Sequence, residues 1–437
     1  MLKAYQNHID QNLPFLKESK LLIAISGGLD SVILSQLCHQ LKLNIAFAHC
    51  NFNLRGAESD GDEAFVLELA KNLHVECFVE KFDTLVYAQT NKQSTQMAAR
   101  ELRYNWFREL SNLLHFDYIL TAHHADDNLE TFLINLSRGT GLEGFTGIPE
   151  INDKIVRPLL SFSRNDIEDF AKQNNLKWRD DSSNASTKYL RNKLRHEVIP
   201  ILKGINPQLL QNFAKTQDYL KGAHDIIDDR IDAVSEQVIS TINEEEIHFD
   251  ITKLESLNNT KAYLYEFLKG YGFTAWNDVY SLLTAQSGKQ VHSGTHRLIK
   301  NRKSLILSYL KEPSQQEIVI HDAITPIETA FGVLNFEAVD AILKSDSNII
   351  FVDKSKLVFP LTLRKWQEGD YFYPIGMTGK KKLSKYFKDE KLSLIDKEKV
   401  WLLCSGESIV WVIDRRADNR FNCTDTTTQI IKITLNN

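Results

Sequence analysis

The spacing of apolar positions changes along the chain, and the changes mark its elements. Leu21–Ile25 (LLIAI) is an unbroken apolar run ended by Ser-Gly-Gly, the form of a strand buried on both faces of a parallel sheet. From Ser31 to Leu41, the residues Val32, Leu34, Leu37, Cys38 and Leu41 fall mostly on one side of a helix. Asn44–His49 reads as a strand, Glu63–Leu73 as a helix, Glu76–Val79 as a strand, Ser94–Leu114 as a long helix and Tyr118–Ala122 as a further strand. In Asp127–Arg138 the residues Leu129, Phe132, Leu133 and Leu136 repeat at helical spacing. Alternation of this kind predicts an α/β fold with an N-terminal doubly wound parallel sheet.

Beyond about Trp178 the texture changes. Asn206-Pro207 opens a mainly helical stretch running to roughly Gln286, and from about Ile318 short β-like runs dominate, such as IIFVD (349–353) and SIVWVIDRR (408–416). Three domains are expected: a nucleotide-binding catalytic domain over 1–205, a central mainly helical domain over 206–315, and a smaller C-terminal α+β domain over 316–437. A chain of 437 residues with 43% apolar and 25% charged positions can bury several cores without staples. The five cysteines form no CxxC pair, which speaks against a zinc ribbon, an iron–sulfur cluster or a disulfide scaffold. The N-terminal residues lack the apolar core of a secretory signal, so a reduced, soluble, cytoplasmic protein with no membrane partner is expected.

The chemistry concentrates at strand ends. Ser26-Gly27-Gly28-Leu29-Asp30-Ser31 lies between the first strand and the first helix. A helix start there offers unpaired amides and a partial positive charge to phosphate, and two glycines let backbone approach phosphate oxygens closely. Ser26 and Ser31 add hydroxyl donors, while Asp30 suits a helix cap or an acid that holds Mg²⁺ against phosphates. There is no GxxxxGK[ST], so this is not a lysine-bearing P-loop. The GxGxxG at Gly139, Gly141 and Gly144 follows a helix, not a strand, and reads as a loop at a helix C-terminus.

A second cluster opens at the end of the Tyr118–Ala122 strand. His123, His124, Asp126, Asp127 and Glu130 stand within eight residues. Asp127 and Glu130 share a helix face and suit clamping a cation, a metal or an ammonium; the alternative is a capping box built from Asp126 or Asp127 and Glu130. His123 is a candidate proton acceptor or phosphate contact. Arg100 and Arg103, one turn apart, suit phosphate or a leaving pyrophosphate, or else surface salt bridges.

Net charge is −5, yet two segments are basic. Lys188–Lys221 holds Lys188, Arg191, Lys193, Arg195, Lys203, Lys215 and Lys221 against Glu197 and Asp218, and Arg364–Lys391 holds eight basic and four acidic residues with interleaved aromatics. Such patches suit phosphate contact with base stacking.

The SGGLDS string resembles the loop of the PP-loop ATP pyrophosphatases, the adenine-nucleotide α-hydrolase-like enzymes. Together with HCNFNLRG (49–56), AARELRY (98–104), TAHHADDNLETFLINLSRGTGLEG (121–144), RPLL (157–160), WRDDSSN (178–184), YLRNKLRHEVIP (189–200) and DYFYPIGMTGKKKLSKYFKDEKL (370–392), it resembles the tRNA(Ile)-lysidine synthetases. That resemblance implies ATP and Mg²⁺ as cofactors, with L-lysine and an isoleucine tRNA bearing a CAU anticodon as partners. The implied reaction adenylates O2 of the wobble cytidine, after which the lysine ε-amine displaces AMP at C2. Asp30 would then assist Mg²⁺·ATP binding, Arg103 would contact ATP or the adenylated intermediate, and Asp127 and Glu130 would bind lysine. A homodimer is an open expectation. The alternatives are another enzyme of the same loop class, a tRNA thiolase or a small-molecule amidating synthetase, and a non-catalytic RNA-binding protein.

Overall fold

A computed structural model describes residues 1–179, 190–310, 317–322, 325–342 and 347–436. The chain divides into two compact units, Met1–Asp228 and Asp229–Asn437.

The first unit begins with α1 (Leu2–Asn12) and is built on β1 (Lys20–Ala24), α2 (Leu29–Gln40), β2 (Asn44–Asn51), α3 (Ala57–Leu73), β3 (Cys77–Lys81), α4 (Thr84–Thr90), α5 (Thr95–Leu113), β4 (Tyr118–Leu120), α6 (Ala125–Arg138), α7 (Leu142–Phe145), β5 (Ile151–Asn152), β6 (Ile155–Val156) and α8 (Arg164–Gln173). The sheet order is β3-β2-β1-β4-β6-β5, parallel throughout except for the β5–β6 hairpin. The apolar run becomes the central strand because both its faces find a core. Leu21 and Ile23 pack with α2 residues Ile33, Leu34 and Leu37, while Leu22 packs on the opposite side with Phe107, Phe116 and Ile119. The chain leaves β1 on one side to β2 and returns on the other to β4, so the loops after β1 and β4 meet at the topological switch point, where such sheets bind ligands.

Helix α6 is anchored from behind. Leu129, Phe132 and Leu133 pack with Ile199, Leu209 and Phe213, and the Phe132 ring lies 5.2 Å from both Phe145 and Phe213. Buried Asn128 donates to Gln217 Oε1 at 2.5 Å and accepts from the Ile148 amide at 2.7 Å. Gly147 closes this polar knot with a φ of +78°; a Cβ there would lie 2.2 Å from Asn128 Oδ1. As the sequence predicts, the glycine-rich segment starts where α6 ends, with Gly139 at its C-cap.

In the second unit the helices Ile251–Glu255, Thr260–Leu268 and Trp276–Ser281 accompany a five-stranded antiparallel sheet that includes Glu246–Asp250, His296–Asn301 and Ser304–Tyr309. The helical stretch expected from 206 is therefore real but shared with strands. Beyond it, a five-stranded sheet through Leu361–Lys365, Trp401–Ser405 and Ser408–Val412, and a four-stranded one through Gly332–Val339, Ile430–Asn436 and Ile349–Asp353, sandwich the apolar cluster around Leu363, Leu403, Trp411 and Ile433. Within this unit Arg297 forks onto Glu398 and Lys399 reaches Glu246 at 2.6 Å. The expected boundary near 315 falls outside the described residues. Among the described residues, no helix is long and apolar enough to cross a membrane.

Candidate active site

The phosphate loop is held open by its own serines. Ser31 Oγ donates to the Gly28 carbonyl at 2.9 Å and receives the Ser26 amide at 3.2 Å, with Ser26 Oγ also 3.2 Å away. Gly27 has a φ of +87°, a conformation costly for other residues, and a Cβ there would press on Phe65 and Val66 at 3.4 Å. Gly28 caps α2 without a side-chain acceptor, so the first-turn amides of this twelve-residue helix keep their affinity for an anion. The loop is tied to a distant segment by Arg179, whose amide donates to the Gly27 carbonyl at 3.0 Å and whose guanidinium pairs with Asp62 at 2.8 Å.

Asp30, the second residue of α2, lies across from the start of α6. Arg164 Nη1 stands 2.6 Å from both of its oxygens and His124 Nε2 stands 3.8 Å away. Burial raises the Asp30 carboxyl above the usual aspartate range, with His124 and Arg164 pulling it back.

The start of α6 is capped differently from the sequence expectation. His124, not an aspartate, is the N-cap: its Nδ1 accepts the Asp127 amide, and Asp127 Oδ2 accepts the His124 amide at 3.1 Å. Imidazole can accept a hydrogen bond like the usual capping oxygens, which no cap preference from composition anticipates. Burial works to raise the Asp127 carboxyl, but His124, His123 and Arg195 outweigh it and hold it below its ordinary range. Glu130 is 1% exposed and lies under two arginines, with Arg195 Nε at 2.6 Å and Arg191 Nε at 3.5 Å; burial pushes its carboxyl up against that opposition. Asp126 takes Lys203 and the Arg164 amide. Burial lowers the His123 imidazole to about 4, so it is neutral at ordinary pH; its Nδ1 lies 3.0 Å from Thr121 Oγ1.

The structure thus brings together Ser26, Gly27, Gly28, Leu29, Asp30 and Ser31 with the α6 group His123, Asp127 and Glu130. Arg103, on α5, is placed beside the end of β2. Its guanidinium lies 5.1 Å from the Phe52 ring, near the end of β2, and its charge is felt by His49 and Cys50. Arg100, over Tyr104 at 4.9 Å, is the member of the arginine pair whose charge reaches His123. Arg157 of the RPLL string is buried and donates to the Pro149 carbonyl at 2.6 Å. Of the seven basic residues read as an RNA-facing segment, Arg191, Arg195 and Lys203 are committed to α6 carboxylates, and Lys188 lies outside the described residues, as do residues 180–184 of WRDDSSN. Nothing in the sequence singles out Arg164, because an arginine inside a Ser–Asp capping box looks like any helix start.

Among the described residues no three metal-ligating side chains converge. One carboxylate beside a phosphate loop nevertheless fits Mg²⁺, which commonly takes one or two carboxylates with the rest of its shell from phosphates and water.

A switch-point cradle of this kind defines a PP-loop nucleotide-binding domain, and the family model for that domain matches residues 1–202. Two further family models match, the TilS substrate binding domain over 242–311 and the TilS substrate C-terminal domain over 361–433. The chain is 40% identical over 440 residues to a tRNA(Ile)-lysidine synthase of Parabacteroides distasonis, covering 99% of each. It is 38% identical to one of Bacteroides thetaiotaomicron, covering 97% of each, and 36% identical to one of Porphyromonas gingivalis, covering 92% of this chain and 90% of that one. The chain belongs to the tRNA(Ile)-lysidine synthase family.

Proposed function

We propose that this chain is an ATP-dependent ligase that forms lysidine on an isoleucine tRNA, joining L-lysine to C2 of the wobble cytidine with release of AMP and pyrophosphate. The observation that carries the reading is the pairing of an α/β-cleaving type of phosphate loop with the acidic start of α6 at one switch point, in a chain matched end to end by tRNA(Ile)-lysidine synthases.

The residues have separable tasks. Ser26 to Ser31 bind the triphosphate through backbone amides and hydroxyls. Asp30 supplies the carboxylate for Mg²⁺, which when bound offsets the charge of the phosphates. Adenylation at O2 makes AMP the leaving group, so that a neutral amine can displace it. Lysine arrives as an ammonium, and Asp127 and Glu130 offer it carboxylates once Arg195 and Arg191 yield. His123 is neutral and hydrogen-bonds phosphate or takes a proton transiently. Arg103, on α5 beside Phe52, is the candidate contact for the nucleotide or the adenylated base. The exposed Lys380, Lys382, Lys385 and Lys388, beside Tyr371, give the second unit a cationic face for the tRNA backbone.

A thiolase reading finds no support in the thiols. Burial raises Cys38 and Cys50 to about 12 and Cys77 and Cys404 to about 11, far from a reactive thiolate. Incubation with radiolabelled lysine, ATP and an isoleucine tRNA transcript with a CAU anticodon tests the proposal. Label should enter the RNA and disappear from it when the wobble cytidine is replaced; no incorporation into the intact transcript would refute it.

A further inference from the structure

Among the described residues, the side chain that hydrogen-bonds Asp30 is not one that motif or spacing selects. Arg164 is the first residue of α8, and its position is fixed twice: Ser163 and Asp166 form a capping box just around it, and its amide donates to Asp126 Oδ2 at 2.8 Å. Its backbone is therefore tethered to the start of α6, the second half of the site. Its side chain is only partly engaged. Nε bonds Glu168 at 3.1 Å, Nη1 alone serves both Asp30 oxygens at 2.6 Å, and Nη2 makes no hydrogen bond among the described residues. The side chain is 36% exposed, so a guanidinium with an unused nitrogen stands at the mouth of the phosphate loop. Guanidinium is planar and forks readily onto phosphate, and its pairing with Asp30 uses only one of its two terminal nitrogens.

We infer that Arg164 is a further residue of the triphosphate site: it neutralises Asp30 while the loop holds no nucleotide, and passes its guanidinium to the phosphates when ATP enters. The exchange balances charge at both stages. Without nucleotide, the half-buried Asp30 carboxylate would otherwise lie beside Asp127 with His124 and the more distant charge of Arg195 to offset it. With Mg²⁺·ATP present, Asp30 gains another counter-ion, and the arginine is freed for the β and γ phosphates that depart as pyrophosphate.

The inference rests on the reading that the SGGLDS loop takes ATP, and equilibrium binding separates the two. ATP and inorganic pyrophosphate are titrated calorimetrically into the full chain, with Mg²⁺ and with EDTA. The variants are Arg164→Met, Arg164→Lys, Asp30→Asn and the Asp30→Asn/Arg164→Met double. With Mg²⁺, Arg164→Met should weaken both ligands by about tenfold to a hundredfold, the range for removal of a charged hydrogen bond, and Arg164→Lys should recover part of that. In EDTA, Asp30→Asn should tighten ATP several-fold, by releasing the arginine, and the gain should vanish in the double variant. Unchanged binding by Arg164→Met overturns the inference, and so does a gain that survives in the double variant, which would reflect relief of repulsion alone. Should Arg164→Met fail to fold by thermal melting, Arg164→Lys and Asp30→Asn decide the matter: tighter EDTA binding by Asp30→Asn with weaker Mg²⁺ binding by Arg164→Lys supports it, and no change in either overturns it. Wild-type protein that binds ATP in neither buffer refutes the loop reading itself.

Discussion

Arg195 grips Glu130 with two nitrogens, Nε at 2.6 Å from Oε1 and Nη2 at 3.0 Å from Oε2, and Nη2 also reaches Asp127 Oδ1 at 2.8 Å. One guanidinium thus covers both carboxylates assigned to the incoming ammonium. On the proposed reading lysine displaces or shares this guanidinium, and in the empty site the pair offsets the buried carboxylates. Removing the arginine leaves Glu130, which is almost fully buried, with Arg191 at 3.5 Å and none of the hydrogen bonds from Arg195. Water reaches Arg195, so the cost should be about 1–3 kcal/mol, below that of a fully buried pair. Arg195→Met should therefore lower the unfolding free energy by that amount, and Glu130→Gln/Arg195→Met should recover much of it. Denaturant melts of the wild type, Arg195→Met, Glu130→Gln and the double variant check this; additive losses would mean the two residues are not coupled.

Asp30 belongs to the phosphate loop, and its carboxylate faces Arg164 and His124. Asp30→Ala should reduce AMP formation at least about a hundredfold, as for other residues that handle charge in phosphoryl and acyl transfer, while tRNA affinity in a filter-binding assay stays within about twofold. Activity that survives the substitution would remove Asp30 from the site.

His123 gives a pH signature. Its imidazole titrates near 6.5 when unfolded and at about 4 when folded, because burial disfavours the charged ring. Between those values the unfolded chain binds more protons, so stability is present above about 6.5 and falls as pH drops toward about 4. Denaturation at a series of pH values should show this slope, and His123→Gln should flatten it. An unchanged slope in the variant would place the titration elsewhere.

How far the sequence is legible follows from where each signal resides. The central strand and α2 are readable because Leu21–Ile25 and the apolar face after Ser31 are local patterns, and both are buried as expected. The hairpin Ile239–Ile242 and Glu246–Asp250 is not, since three glutamates between short β-branched runs look like a polar helix turn until a sheet edge at Ser304–Tyr309 receives them. At the site, the loop and the acidic start of α6 are visible as strings. The partners of that acid are not: Arg191, Arg195 and Lys203 stand about sixty residues or more away from it in sequence, where their charge reads as an RNA-facing segment. Only the fold reveals that they answer Glu130, Asp127 and Asp126.

The exposed lysines of the second unit carry a different expectation. Lys380, Lys382, Lys385 and Lys388 lie around the helix Leu383–Asp389, whose buried face of Leu383, Tyr386 and Phe387 is spoken for by the core. Replacing all four with glutamine should weaken tRNA binding and lower the slope of log affinity against log salt by about 0.7–0.9 for each phosphate no longer neutralised. ATP binding should not change. An unaltered salt slope would move the tRNA surface elsewhere.

The most direct measurement follows one oxygen atom. A CAU-anticodon isoleucine tRNA with ¹⁸O at O2 of its wobble cytidine is converted with lysine and ATP, and the nucleotide products are examined by mass spectrometry. If the loop at Ser26–Ser31 directs cleavage between the α and β phosphates and O2 is the adenylated atom, AMP carries the label and pyrophosphate is released unlabelled. Unlabelled AMP, or orthophosphate in place of pyrophosphate, would contradict it.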